Sequence, residues 1–288
     1  MTVSQAAGPT YQESVPDSGA EEPPEPRGRL VLPGPVPALV LLVVLLAGWE
    51  AGARAGFINP LFFSSPEAIG RKAVDVFITH RTIYPDLLFS GRTLAIGFLL
   101  SVVIGIPIGL VIGRYRLVRR TVEPYIIALY STPAVALLPV LILILGIGVT
   151  SNIALVVLGG VFPIIINTQT GVREVDRNLV EMARSFTAGE RFLFTKVILP
   201  AAVPFVMAGL RLGIIRALTM VFVAELYSAN EGIGHLIVQA GSLFDSALVY
   251  VGVLVMTLTG LLLSFIAGRL ERKFAPWISA REGDSRGA

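Results

Sequence analysis

The sequence predicts an all-α polytopic membrane protein with six transmembrane helices. Of its 288 residues, 54% are hydrophobic and only 15% are charged, whereas a soluble domain carries about 25% charged residues. The apolar residues also form blocks long enough to cross hydrocarbon, which requires about 20 residues per helix. These blocks lack the alternation of β-strands and are too long for barrel strands, so helices are the predicted elements. The predicted spans are residues 36–56, 87–113, 121–146, 151–170, 201–224 and 247–268.

The segments that flank the spans predict the domain organisation. The first 34 residues are rich in Pro, Glu, Ser, Ala and Gly, with five acidic residues before Arg27. A secretory signal would begin with basic residues and continue with an apolar core. We therefore interpret residues 1–34 as a disordered tail that is not cleaved. Residues 35–272 form the predicted six-span domain, and residues 273–288 form a C-terminal tail.

The distribution of basic residues predicts the orientation in the membrane. The two tails and the 114–120 and 171–200 loops hold sixteen Lys or Arg, whereas the opposite side holds four. Because basic residues mark the cytoplasmic side, both tails and both loops are expected there. The net charge of +3 is thus attributed to topology in a lipid bilayer, and no nucleic acid partner is expected.

Several residue types that support catalysis or cofactor binding are missing from the sequence. It has no cysteine, so disulfides, thiolate metal sites and cysteine nucleophiles are excluded. The two histidines, His80 and His235, are far apart and lack the neighbours of a catalytic triad. No G-x-x-x-x-G-K-[ST] phosphate loop occurs, so the chain is not expected to bind ATP itself. We therefore predict no catalytic residue, no metal site and no cofactor in this chain.

Proline interrupts several of the predicted spans. Pro133 and Pro139 lie in the third span, and Pro163 lies in the fourth. Each removes a helix hydrogen bond and frees a carbonyl, which protein or cavity water must satisfy. Such breaks are common where helices line a pathway, and simple kinks that serve packing are the alternative. Pro133 and Pro139 are therefore candidate residues of a substrate pathway.

A charged segment separates the fourth span from the fifth. Nine charged residues lie between Arg173 and Lys196, although the adjoining apolar runs carry none. Asp176 or Asn178 is expected to cap a helix here, and Asn178 with Glu181 resembles a capping box. A solvated, helical connection is therefore predicted between these two spans.

The helical periodicity of this segment predicts an apolar face. Leu179, Ala183 and Phe186 fall on one side of the first helix, and a second short helix is predicted from Glu190 toward Ile198. The segment is thus predicted to form a helix–turn–helix. Apolar side chains that cannot reach lipid favour docking into a groove of another protein.

The same segment resembles a known signature. Glu181-Met182-Ala183, with Leu199-Pro200 at its far end, is similar to the EAA signature of ABC importer permeases, which is E-A-A, three residues, G, nine residues and I-x-L-P. Met182 stands in place of Ala, Thr187 in place of Gly and Val197 in place of Ile, so Gly189 is expected to supply the turn. The resemblance implies a cytoplasmic coupling helix that docks onto an ATP-hydrolysing subunit. The implied coupling residues are Glu181, Ala183, Arg184, Gly189, Leu199 and Pro200.

Further stretches extend the resemblance to the nitrate, sulfonate and taurine branch of this family. They are LFFSSP at 61–66, STPAVALLP at 131–139, LGIG at 145–148, AEL at 224–226 and GIG at 232–234. The resemblance implies the permease subunit of an ATP-driven importer in a bacterial inner (cytoplasmic) membrane. The implied partners are two ATPase subunits that bind ATP and Mg, an external solute-binding protein and a second permease copy. The implied cargo is a small organic anion such as a sulfonate, or nitrate; thiamine or riboflavin precursors and other aromatic compounds are the alternative.

Charged residues inside spans require a structural or functional explanation. Placing a charged side chain at the centre of a membrane helix costs from about 2.5 kcal/mol upward in insertion free energy. Arg216 lies mid-span with no acid within a turn or two on its own helix. Its guanidinium is expected either to bind a carboxylate, sulfonate or phosphate or to pair with a carbonyl freed by a proline. Arg92 is expected to snorkel at the outer end of its span. Arg211 is expected to serve packing or, alternatively, to pair with a carbonyl or an acid near the inner mouth. Glu225, the second charged candidate of the substrate pathway, resembles a family acid whose implied task is to fix an outer gate through hydrogen bonds.

The polar segment 227–241 lies between the last two spans. It is too short and too polar to cross the membrane, and Gly232-Ile233-Gly234 followed by apolar residues predicts a short re-entrant helix. Backbone of this kind at membrane depth requires protein or a water-filled cavity around it.

An ATP-independent secondary transporter or channel is the alternative function. Proton- or sodium-driven carriers place acids in mid-membrane, whereas Glu50, Glu123 and Glu225 lie toward span ends. A membrane enzyme is a further alternative, but H-E-x-x-H and clustered nucleophile–base sets are missing. Both alternatives predict activity without an ATPase partner.

Overall fold

The computed structural model describes residues 36–57, 59, 62–186, 189–228 and 230–274. The chain divides into two compact units, Met1–Leu45 and Leu46–Ala288. The described part of the first unit, residues 36–45, is the beginning of helix α1 (Val36–Arg54), and the rest of α1 belongs to the second unit. The predicted tail at residues 1–34 lies outside the described residues. Of the predicted C-terminal tail only residues 273 and 274 are described, and they continue a helix.

The described residues of the second unit form helices and turns, without a strand. After α1 the helices are α2 (Pro66–Val74), α3 (Tyr84–Arg114), α4 (Arg116–Ser131), α5 (Leu138–Leu145), α6 (Val149–Arg173), α7 (Arg177–Ser185), α8 (Glu190–Phe192), α9 (Leu199–Ser228), α10 (Ile233–Ser242) and α11 (Ser246–Phe274). A π-helical turn, Asp75–Thr79, follows α2, and a 3₁₀ turn, Ala134–Leu137, precedes α5. A second π-helical stretch, Leu193–Ile198, joins α8 to α9.

Helices α3, α6 and α9 form the centre of the second unit. Small residues let α3 and α6 approach closely, as is common between membrane helices. A Cβ atom on Gly97 of α3 would lie 2.5 Å from Cγ1 of Val156, and one on Gly109 would lie 2.6 Å from Cβ of Thr168. Gly97, Ser101, Gly105, Gly109 and Gly113 recur at every fourth position, so they share one face of α3. The α3–α6 contact therefore depends on the absence of larger side chains along this face.

A second apolar cluster joins α2, α10 and α11. Its buried members include Ile69, Ile233 and Val251. Trp49 of α1 packs against the cluster, and its ring centroid lies 5.5 Å from that of Tyr250. This packing holds the short helices α2 and α10 against one of the long helices.

The long helices agree with five of the six predicted spans. Helices α1, α3, α6 and α11 are each long and apolar enough to cross a membrane, as is the continuous helical run Glu190–Tyr227 that contains most of α9. The third predicted span, residues 121–146, is not one helix. Residues 116–131 and 134–145 form a pair bent by 90°. Six spans are therefore present only if this bent pair counts as one.

The prolines explain where the third span breaks. Pro133 lies at the bend, and Thr132 before it is extended at φ −72° and ψ 129°, because a proline disfavours helical backbone in the preceding residue. Pro139 instead lies in the first turn of α5, where a missing N–H leaves no hydrogen bond unmade. The expectation that Pro139 frees a carbonyl inside a span is therefore wrong. Pro163 does lie inside its helix, α6, where it is buried.

Candidate functional site

Helix α7 begins where a side chain caps it. Oδ1 of Asp176 accepts a hydrogen bond from the backbone N–H of Asn178 at 2.8 Å, which satisfies one of the unpaired N–H groups of the first turn. Asp176 is thus the cap, and Asn178 lies inside the helix rather than in a capping box. The sequence prediction of a helix between the fourth and fifth spans is confirmed.

The two faces of α7 have different surroundings. Val180 and Ala183 pack against a buried cluster formed by Val172, Leu193, Ile198 and Ala202. Leu179, Met182 and Phe186 are 48%, 58% and 80% exposed. The predicted apolar face is therefore wrong for one residue. Ala183 packs against the buried cluster, and Met182 is instead the third apolar residue on the exposed side. We call Leu179, Met182 and Phe186 the exposed row of α7.

The connection after α7 does not depend on a special glycine conformation. Gly189 has φ −66° and ψ 156°, and nothing lies within 4 Å of the position of a Cβ atom. Any residue adopts such a backbone, so the expectation that Gly189 supplies a glycine-specific turn is wrong. Thr187 and Ala188 lie outside the described residues.

Ion pairs hold this connection to the rest of the protein. Glu190 pairs with Arg184 of α7 at 3.3 Å and with Arg114 at the end of α3. Arg184 and Glu190 are both more than half exposed, so water screens their attraction and the pair contributes little stability. Its effect is to orient α7 relative to α8. Glu181 is exposed on α7, and its backbone carbonyl accepts from the Ser185 hydroxyl.

The second predicted helix runs through Leu199-Pro200 without a break. It begins at Glu190 as expected, but the π-helical stretch carries it directly into α9. A proline clashes with the carbonyl four residues before it, and the wider π-helical turn ahead of Pro200 relieves that crowding. Leu199 and Pro200 therefore lie within one continuous helical run rather than at its end.

That helical run connects two distant parts of the protein. From Glu190 to Glu225 it covers roughly 50 Å at about 1.5 Å per residue, whereas the hydrocarbon core of a bilayer is about 30 Å thick. The segment around α7 and the surroundings of Glu225 therefore lie at opposite membrane surfaces if α9 crosses the bilayer.

Around Glu225, three side chains hold the beginning of α10. Oε2 of Glu225 accepts hydrogen bonds from the Ser90 hydroxyl and from the backbone N–H of Gly234, both at 2.9 Å. Oγ of Ser90 in turn accepts from the N–H of Ile233 at 3.0 Å. Asp86 accepts from the N–H of the residue before α10 at 2.8 Å. Carboxylates suit this position because the first N–H groups of a helix are unpaired and carry positive partial charge.

Glycine is required at the start of α10. Gly232 has φ +108°, and a Cβ atom there would lie 2.4 Å from the carboxyl carbon of Glu225. We call Asp86, Ser90, Glu225 and Gly232 the α10 clamp. The predicted helix within residues 227–241 is confirmed as α10. Sequence reasoning missed Asp86 and Ser90, because their partners lie at least 135 positions away. Only the four-residue spacing of Asp86 and Ser90 on one helix face gave a signal.

Arg216 lines a cavity at the bend between α4 and α5. The cavity has a volume of about 370 Å³ and opens among α4, α6 and α9; its other lining residues include Tyr130, Thr132, Pro133, Phe162 and Met220. The guanidinium carbon lies 6.0 Å from the centroid of the Tyr130 ring, close enough for a cation–π attraction. Among the described residues, no carboxylate lies within salt-bridge distance of Arg216 and no carbonyl accepts from it. We call this space the Arg216 cavity.

The structure brings together only two of the four predicted pathway residues. Arg216 and Pro133 both line the Arg216 cavity, whereas Pro139 and Glu225 do not. Glu225 is fully buried and holds α10 instead. Arg211 pairs with Glu271 of α11 at 3.4 Å, which is the pairing with an acid that the sequence offered as the alternative to packing.

Comparisons with known proteins agree with this architecture. Residues 105–279 match the family described as binding-protein-dependent transport system inner membrane component. The chain is 36% identical over 240 residues to the putative aliphatic sulfonates transport permease protein SsuC of Escherichia coli, covering 82% of this chain and 90% of that protein. It is 30% identical over 241 residues to the formylaminopyrimidine transport permease protein ThiX of Halalkalibacterium halodurans, covering 84% and 95%.

One solved structure shares the fold. A chain of the inward-facing MetNI methionine ABC transporter superposes with a TM-score of 0.57 at 21% identity, covering 69% of this chain and 97% of that chain. The family match extends over more than half of the present chain, and the helices it covers include α6, α7 and α9. This chain therefore belongs to the binding-protein-dependent transport system inner membrane components, the permease subunits of ABC importers.

Proposed function

We propose that this permease couples to ATPase subunits through the exposed row of α7. The single observation that carries the proposal is that Leu179, Met182 and Phe186 are exposed on a helix whose other face is packed. Large apolar side chains arranged in this way favour docking of the helix into a groove. The edges of the docked surface would then be formed by Glu181, Arg184 and the connection through Gly189.

The continuous helical run provides the mechanical link. ATP binding to two cytoplasmic ATPases would draw two copies of α7 together and bias a two-state membrane element, and hydrolysis would reset it. Because Leu199 and Pro200 lie inside one helical run from Glu190 into α9, a displacement at α7 would reach Arg216 and Glu225 through α9. ATP and Mg are bound by the partner subunits in this mechanism, and the chain itself performs no chemistry.

The charge distribution supports a defined orientation for this mechanism. Both tails and α7 face the cytoplasm of a bacterial cell, as the excess of basic residues on that side favours. The α10 clamp then lies toward the outer surface, where an external solute-binding protein delivers the cargo. A second copy of the same chain completes the pathway.

The proposed cargo is a small organic anion that meets Arg216. The guanidinium has no carboxylate partner among the described residues and lies beside the rings of Tyr130 and Phe162, so it suits a sulfonate or carboxylate that carries an apolar group. The relative named for aliphatic sulfonates supports this choice. The relative named for formylaminopyrimidine supports the alternative, a thiamine or riboflavin precursor or another aromatic compound that stacks on the same rings.

Co-purification with ATPase subunits tests the coupling role. The permease is extracted from its own cells as wild type, as Met182→Asp and as Leu243→Asp. Leu243 is a matched control, because it is 73% exposed in the turn after α10, at the opposite end of the proposed pathway. Burying an uncompensated charge costs about 3 kcal/mol, so Met182→Asp should weaken capture of the ATPase roughly a hundredfold. Leu243→Asp should leave it unchanged.

The choice of residue matters for this experiment. Ala183→Asp would introduce a charge into the packed face of α7, so a loss of capture would report damage to the segment itself. If wild type and Met182→Asp retain ATPase equally well, the exposed row is not the docking surface. If wild type captures no ATPase at all, an ATP-independent carrier becomes the better description of energy coupling.

A further inference from the structure

A second cavity lies where α3 and α6 end. It has a volume of about 490 Å³ and is lined by Gly113, Arg119, Arg173, Glu174, Val175 and Arg177. Three of these residues are arginines, and only one is acidic. They come from three different elements, namely α4, the last turn of α6 and the first turn of α7. We call this space the arginine cavity.

Two of the three arginines have no acidic partner in the part of the chain that the structure describes. Nη1 of Arg173 lies 3.6 Å from Oε1 of Glu123, and the same oxygen of Glu123 accepts from Gln169 at 2.5 Å. Arg119 and Arg177 form no ion pair with any residue that the structure describes. Because the walls of a concave site concentrate the field of like charges, such an arrangement attracts an anion more strongly than a flat surface does.

The position along the helices indicates which kind of anion fits. Helices α3 and α6 are spans that end at Arg114 and Arg173, so the arginine cavity lies where apolar helix surface gives way to polar residues. Tyr115 lies one helical turn before Arg119 on the same side of α4, and it is 58% exposed. Exposed tyrosines next to arginines are typical of the level of lipid headgroups.

We propose that the arginine cavity binds the phosphate headgroup of an anionic phospholipid. Guanidinium groups donate paired hydrogen bonds to phosphate oxygens, and basic pockets between span ends suit headgroups with one or two phosphates. Glu174 faces the same space and lowers its net positive charge, but two arginines remain in excess. The inference rests on the proposed membrane orientation, which makes this the cytoplasmic leaflet.

The bound headgroup would also hold the beginning of α7. Arg177 is the first residue of α7, and Arg119 belongs to α4. A phosphate that contacts both arginines would link these two helices across the cavity. The lipid composition of the membrane would then affect how firmly α7 is held, without contact between the lipid and the exposed row.

Native mass spectrometry of the delipidated, detergent-solubilised permease tests the proposal. The probes are cardiolipin, phosphatidylglycerol, phosphatidylethanolamine and inorganic phosphate, added separately. The variants are Arg119→Gln, Arg177→Gln and both together. Arg120→Gln is the matched control, because Arg120 is the next residue of α4, exposed and outside the cavity lining.

We expect the wild type to bind cardiolipin and phosphatidylglycerol more tightly than phosphatidylethanolamine. Each basic residue near a headgroup contributes about a fivefold change in affinity. Each single variant should therefore bind cardiolipin about fivefold more weakly, and the double variant about 25-fold. Arg120→Gln should bind as the wild type does. Arg119→Lys, which retains the charge but not the paired hydrogen bonds, should bind cardiolipin more tightly than Arg119→Gln and more weakly than the wild type.

Four results would overturn the proposal. If phosphatidylethanolamine binds as tightly as cardiolipin, the lipids are held by apolar contacts with the detergent-covered surface. If Arg120→Gln and Arg119→Gln lose the same amount of cardiolipin affinity, the lipid is attracted to the basic surface in general. Inorganic phosphate binding as tightly as cardiolipin would indicate a site for soluble anions. Unchanged cardiolipin binding in the double variant would show that Arg119 and Arg177 do not hold the headgroup.

The lipid measurement stays separate from the coupling role of α7. It uses the permease alone, so a failure of ATPase docking would leave its outcome untouched. Conversely, the Met182→Asp variant should bind cardiolipin as the wild type does. The thermal unfolding temperature of each variant shows whether a loss of binding arises from loss of the fold.

Discussion

The substitution Gly232→Ala provides a stringent test of the α10 clamp. The alanine Cβ would lie 2.4 Å from the carboxyl carbon of Glu225, and overpacking of a buried site costs about 1–3 kcal/mol. The backbone at φ +108° adds about 1–3 kcal/mol for a residue with a side chain. We therefore expect Gly232→Ala to lower the free energy of unfolding by at least about 2 kcal/mol.

The matched control lies in the helix that Gly232 precedes. Gly241 of α10 has only Cγ2 of Val249 near the position of a Cβ atom, at 3.9 Å. Alanine is favoured over glycine in a helix by about 0.5–1 kcal/mol, so Gly241→Ala should be neutral or slightly stabilising. The two variants have the same chemical change and opposite expected signs.

Tryptophan fluorescence during heating measures the difference. In a Trp277→Phe background, Trp49 is the remaining tryptophan, and it packs against the cluster that contains Ile233 of α10. Gly232→Ala should lower the unfolding temperature, and Gly241→Ala should not. Equal unfolding temperatures for Gly232→Ala and the wild type would refute the close contact between Gly232 and Glu225.

Three further predictions concern the helix contacts and the cavity. Gly97→Val should destabilise the α3–α6 contact by about 1–3 kcal/mol in the same assay, since the new side chain would collide with Val156; an unchanged unfolding temperature would contradict it. Glu225→Ala should leave the Ser90 hydroxyl and a backbone N–H at α10 without their acceptor, which should lower the free energy of unfolding by about 1–3 kcal/mol. Glu225→Gln keeps an acceptor oxygen, so it should lower the free energy of unfolding less. Arg216→Gln should reduce uptake of taurine or an alkanesulfonate by whole cells at least tenfold, because a hydrogen bond from a charged guanidinium contributes about 1.5–3 kcal/mol to anion binding. Arg216→Lys should restore part of this uptake. Retained uptake in Arg216→Gln would show that Arg216 is not part of the pathway.

The sequence predicted the helices because the signals for them are local. Runs of about 20 apolar residues identify spans whatever their neighbours are, and this is why α1, α3, α6, α9 and α11 were expected. The helix after Asp176 was also expected, because a capping side chain acts on N–H groups two or three residues away. The signature around Glu181 pointed to the family for the same reason, since all its positions lie within twenty residues.

The orientation of side chains around those helices could not be predicted as well. Periodicity placed Leu179, Ala183 and Phe186 on one face, but α7 turns Ala183 inward and Met182 outward. The difference is a rotation of less than half a turn, and it is decided by the cluster that contains Leu193 and Ile198. Pro133 likewise predicted a break, whereas the 90° angle depends on how α4 packs against α3 and α6 and how α5 packs against α6.

Local features of the amino-acid sequence are sufficient to identify the helical segments and the family of this chain. Which distant side chains meet depends instead on how the helices pack. Ser90 and Glu225 are 135 positions apart, and Arg119 and Arg177 come from helices on either side of α6. Apolar periodicity specifies that a face is buried but not against which partner, because burial is non-directional. Hydrogen bonds and charge clusters require defined distances, which arise only when the helices have packed.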